Sequence, residues 1–144
     1  MSILNKMCNL FEIAASGGKS SDAEINRLSE FSEIEVPSEF IDIIKEKSEI
    51  EILVNKQKCI RIWGADGCIE MNTAYNIQKY IPNSLAIADD GCCNVVVYAH
   101  GGNGFGLYIV PLGDLDSDEM TFISPSLESF LTQGTGTEIF NSVW

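Results

Sequence analysis

Apolar residues recur along the chain with two different periods, and the change falls near residue 50. Ile3, Met7, Leu10, Phe11 and Ala14 follow helical spacing, with Asn5, Lys6, Asn9 and Glu12 between them. The pattern predicts an accessory amphipathic helix over residues 2–15. Ser16-Gly17-Gly18-Lys19-Ser20-Ser21 then reads as a short flexible linker, residues 16–21. Ser21 and Glu24 have the spacing of a capping box, each side chain satisfying a free N–H at a helix start. That helix is expected to run to about Ser32 with Ile25 and Leu28 inward. Pro37 suits the first turn of a second helix, where its missing N–H costs nothing. Phe40, Ile43 and Ile44 give this helix a core stripe, and Glu39, Asp42, Lys45 and Glu46 its solvated face.

Beyond residue 50 the runs become short and rich in β-branched and aromatic residues. Ile50–Val54, Cys59–Trp63, Cys68–Met71, Leu85–Ala88, Val95–Tyr98, Phe105–Val110 and Met120–Ile123 read as strands. Asp66-Gly67, Asp90-Gly91 and Gly101–Gly104 supply turn signals between several of them. Intervals this short leave no room for crossover helices, so neighbouring strands should be mainly antiparallel. Ser124-Pro125 followed by Leu127, Phe130 and Leu131 predicts a closing helix. The order implies one α+β domain over residues 1–144, with a curved, mainly antiparallel sheet of about six strands between N-terminal helices and a C-terminal helix.

Charge narrows the functional classes. Among 144 residues, 21 Asp and Glu face 9 Lys and Arg, for a net charge of −12 at pH 7. Every basic residue lies at or before Lys79, so residues 80–144 carry acids alone. Such a surface repels phosphates, which argues against direct nucleic-acid or membrane-surface binding and leaves a basic protein as the fitting partner. No apolar run approaches a membrane span, and the N-terminus lacks the form of a signal peptide. The expected setting is the cytoplasm. Five cysteines, Cys8, Cys59, Cys68, Cys92 and Cys93, make an odd set that fits a reducing compartment better than a disulfide framework.

Candidate chemistry is sparse. Gly101-Gly102-Asn103-Gly104-Phe105-Gly106 resembles a phosphate loop, but a strand-like run follows instead of a helix, so a hairpin loop is the better reading. Cys92 or Cys93 with His100 could pair a nucleophile with a base, yet the run between them places them at the two ends of one strand. A zinc site lacks its cysteine spacing, and His100 is the single histidine. Asp114, Asp116, Asp118 and Glu119 suggest a calcium loop, but its glycine and closing glutamate positions hold Glu119 and Pro125. No cofactor or metal is expected. Asp89, Asp90, Asp114, Asp116, Asp118 and Glu119 remain as acidic partner contacts.

Taken in order, the segments resemble the SUKH superfamily, which includes the fungal cell-wall glucan-synthesis regulators. The carrying stretches are Glu24–Leu28, Val36–Ile44, Ile60–Trp63, Ile87–Gly91 and Ser126–Leu131, and the core resemblance covers residues 22–132. Lys47-Ser48-Glu49 stands where the family usually has an Asn-Gly turn, and Cys92-Cys93 replaces glycines that often follow the Asp-Gly turn. The resemblance implies a non-catalytic protein-binding domain. Bacterial members look like immunity proteins that neutralise toxins, many of them nucleases; fungal members look like signalling scaffolds. The expected function is therefore toxin neutralisation through an acidic surface, with a regulatory or scaffolding module as the alternative.

Overall fold

A computed structural model describes residues 2–143. Seven strands form one curved antiparallel sheet in which each strand pairs with the next along the chain. They are β1 (Phe11–Gly17), β2 (Ser48–Val54), β3 (Lys58–Ile62), β4 (Leu85–Asp89), β5 (Asn94–Gly101), β6 (Gly104–Pro111) and β7 (Thr121–Ser124). Helices α1 (Asp22–Phe31) and α2 (Ser38–Ile44) join β1 to β2. Helices α3 (Ala65–Ala74) and α4 (Ile77–Tyr80) join β3 to β4, and α5 (Leu127–Gln133) and α6 (Thr137–Ser142) follow β7. No helix among the described residues is long and apolar enough to cross a membrane.

The α1 start is as its residues predict. Ser21 donates its N–H to Glu24 Oε1 at 2.8 Å, and Glu24 returns its own to Ser21 Oγ at 3.2 Å. Ile25 and Leu28 point into the core and belong to the same apolar cluster as Phe40, Ile43 and Ile44 of α2. β4 and the middle of β5 are buried on both faces, so their sequences read as continuous apolar runs rather than alternating ones.

The expected helix over residues 2–15 is absent. Leu4–Lys6 make one 3-10 turn, and Phe11 begins a strand whose register against β2 pairs Phe11 with Val54. The helical spacing competes here with an open edge on β2, and seven residues of ladder outweigh a short, uncapped helix. Part of the expected linker is therefore strand. The rest is tied down too: Ser20 is buried, and its Oγ accepts the Ala65 N–H at 3.1 Å.

Cys68–Met71, expected as a strand, lies inside α3, and Asp66-Gly67 is its first turn rather than a hairpin. The inward stripe is Ala65, Cys68 and Asn72, a helical spacing disguised by a polar member. Asn72 is fully buried, donates to the Cys68 and Ala86 carbonyls at 2.7 and 2.8 Å, and accepts the Ala86 N–H at 3.0 Å. These bonds fasten α3 to β4 and remove the cost of burying the amide. The β3–β4 connection thus holds two helices, yet it returns the chain antiparallel.

Candidate functional site

The two ends of the sheet carry different surfaces. At one end β4 finishes in Asp89 and a turn leads to β5. Asp89 Oδ2 accepts the Trp63 indole N–H at 2.8 Å and pairs with Arg61 Nη2 at 2.9 Å, while its Oδ1 accepts the Gly91 N–H at 2.7 Å. Asp90 Oδ1 accepts three successive backbone N–H groups, from Cys92, Cys93 and Asn94, each at 3.1 Å. Its Oδ2 accepts from Asn94 Nδ2 at 2.7 Å and pairs with Lys58 Nζ at 3.0 Å. Burial works to raise the Asp90 pKa, but the bonds from Asn94, Lys58 and Cys92 outweigh it and hold the carboxyl below its ordinary value.

Asp89 and Asp90, expected as partner contacts, are each only 6% exposed. Their carboxylates are engaged inside the protein and shape the turn. Their cationic partners come from β3: Arg61 stands opposite Asp89 in the β3–β4 register, a pairing that depends on strand alignment and is invisible along the chain. Lys58 also donates to the Phe140 and Val143 carbonyls, at 2.9 and 2.5 Å, and so ties the chain's last helix to the same corner.

The other four acids occupy the connection from β6 to β7. Leu112 donates its N–H to the Cys93 carbonyl at 2.7 Å, so this connection starts beside the Asp90 turn. Two 3-10 turns follow, Leu112–Asp114 and Ser117–Glu119. Asp116 Oδ1 caps the second by accepting the Asp118 N–H at 2.9 Å. Asp114, Asp116, Asp118 and Glu119 are all exposed, and none forms an ion pair among the described residues. Among those residues no three His, Cys, Asp or Glu side chains gather as metal ligands. The cluster is an exposed patch of one charge sign.

At the opposite end, Gly101 pairs with Gly104 across the β5–β6 turn, with Gly104 at φ +86°, so the glycine-rich segment is the expected hairpin loop. His100 packs on Phe105 with ring centroids 4.8 Å apart, and Phe105 stacks on Tyr98 at 5.9 Å. Phe105 is 40% exposed and faces an open groove of about 760 Å³. The α1–α2 segment lines its other side with Glu33, Ile34, Val36 and Pro37. Sequence reading missed this groove, because no local pattern announces that residues 33–37 and a hairpin tip will face each other. Cys92 and Cys93 precede β5 and His100 stands near its far end, roughly 23 Å beyond Cys93 at 3.3 Å per residue, so neither cysteine forms a nucleophile–base pair with it.

A search of curated proteins finds no match for the chain. The family model for SMI1 / KNR4 family (SUKH-1) matches residues 19–133, which run from shortly after β1 to the end of α5. The chain belongs to the SMI1 / KNR4 family (SUKH-1), whose domains act through protein–protein interaction.

Proposed function

We propose that this protein is an immunity protein that binds a toxin domain and neutralises it through the acidic connection between β6 and β7. The family is one of protein-binding domains of immunity or regulatory type and is generally non-catalytic. The observation that carries the finer reading is the set of exposed, unpaired acids Asp114, Asp116, Asp118 and Glu119, in a chain half without Lys or Arg. A nuclease must present a basic surface to nucleic acid, and an acidic protein covers such a surface with steered, fast association. Asp89 and Asp90 serve this surface indirectly, by holding the turn on which the connection starts. The cytoplasm, where a cell's own nucleic acid needs protection, is the setting this reading requires.

Co-expression with the protein encoded by the neighbouring gene tests it. Rescue of growth, with formation of a salt-sensitive complex, is the expected result. A neighbour that is harmless, or toxic but not neutralised, overturns the reading. The groove between Phe105 and residues 33–37 favours a second reading, a scaffolding or regulatory module that takes a peptide of a non-toxin partner. A partner lost on altering the groove and indifferent to the acidic connection would establish that alternative.

A further inference from the structure

Cys92 and Cys93 are adjacent, and both side chains are exposed in the turn between β4 and β5. The other cysteines are set apart from them: Cys68 is fully buried, and Cys8 and Cys59 are half-buried. Gly91, at φ +76°, opens the turn and leaves the pair projecting. Cys93 Sγ accepts from Asn94 Nδ2 at 3.7 Å. The neighbouring Cys92 thiol, with further contributions from desolvation and Asp90, holds the Cys93 thiol above its ordinary pKa.

We propose that Cys92 and Cys93 are a thiol modification site, a vicinal dithiol that a small disulfide of the glutathione class closes into a ring. One cysteine thiolate attacks a sulfur of the glutathione disulfide; its S–S bond breaks, a mixed disulfide forms and one glutathione thiolate leaves. The neighbouring thiolate attacks the protein sulfur of that mixed disulfide, and the second glutathione leaves. Two electrons pass from the cysteine pair to the glutathione disulfide, and both thiol protons end on the two glutathione thiols. No further reactant is needed. The second step is intramolecular between adjacent residues, so it outruns addition of a second glutathione.

Ring closure changes the turn. Cα atoms across a trans peptide are about 3.8 Å apart, less than the roughly 4.4 Å minimum usual for a disulfide. The Cys92–Cys93 unit must therefore twist to close. Its amide N–H groups are the ones that Asp90 Oδ1 accepts, and the Cys93 carbonyl accepts the Leu112 N–H at the start of the acidic connection. Oxidation thus loosens the anchor of that connection. The resulting bridge is strained and exposed, which makes it easily reduced by thiols and the modification reversible.

The test uses the full chain with glutathione disulfide at alkaline pH, followed by intact mass measurement and peptide mapping. The expected product has lost two hydrogens, retains no glutathione at the Cys92–Cys93 peptide, returns to the dithiol with dithiothreitol, and shows a displaced Leu112 amide resonance. Cys92→Ser and Cys93→Ser should each keep one glutathione on the remaining thiol. A stable mixed disulfide at Cys92 or Cys93 in the unaltered chain, loss of the hydrogens at another cysteine pair, or an unmoved Leu112 amide overturns the proposal.

Discussion

Glu39, in the first turn of α2, holds the first turn of α5 from 88 positions away: its Oε2 accepts the Leu127 N–H at 2.8 Å. The same oxygen accepts the Tyr98 hydroxyl at 2.6 Å, and Oε1 accepts the Glu128 N–H at 3.0 Å. One carboxylate thus joins α2, β5 and α5, where the helical pattern had placed a solvated side chain. Glu39→Ala should cost on the order of 3 kcal/mol, since it leaves a buried hydroxyl and helix-end donors without their charged acceptor. Glu39→Gln, which keeps one carbonyl oxygen, should fall between the two. The midpoints of urea unfolding measure both; a Glu39→Ala midpoint equal to that of the unaltered protein would refute the assignment.

Asp90 predicts an acid dependence with a definite sign. Its carboxyl sits below the ordinary value of 3.8 when folded, so the unfolded chain binds its proton first as pH falls. The stability it contributes is fully present above 3.8 and declines as pH drops from there through the lower folded value. Asp90→Asn should cost about 3 kcal/mol near neutrality, because Lys58 loses its buried counter-charge. The variant should also flatten the stability curve below about pH 4. Unfolding measured across that range checks both, and an unchanged slope would remove Asp90 from the explanation.

The four acids of the β6–β7 connection should matter for association and not for folding. Replacing Asp114, Asp116 and Asp118 with Asn and Glu119 with Gln should shift stability by no more than about 0.5 kcal/mol, as expected for exposed side chains. With a basic toxin partner the same variant should associate at least about tenfold more slowly and lose most of its salt dependence. Stopped-flow association at two ionic strengths separates this from a change in the dissociation rate alone, which would point to a different contact surface.

Phe105 separates the two functional readings. Phe105→Ala removes a ring stacked on Tyr98 and should cost about 1 kcal/mol. If the acidic connection is the contact surface, toxin neutralisation should survive this substitution. Loss of partner binding with the fold intact, followed by calorimetry and thermal unfolding of the variant, would move the site to the groove.

Much of the architecture is legible along the chain because it rests on local physics. The Ser21–Glu24 box, the Phe40–Ile43–Ile44 stripe and the apolar runs of β2, β5 and β6 each carry their own signal in neighbouring residues, and the glycine-rich turn announces a hairpin. The absence of Lys and Arg after Lys79 is likewise a property of the sequence by itself. What the tertiary structure decided are the pairings between distant segments. Residues 11–17 became a strand because β2 offered an edge, and Cys68 became helical because Asn72 could bond to β4. Asp89 and Asp90 left the surface because the β3–β4 register set Arg61 beside one and Lys58 reached the other. A carboxylate looks the same along the chain whether it faces water or a buried cation; only the fold supplies the partner that makes burial favourable, and here it did so for two of the six acids and left four exposed.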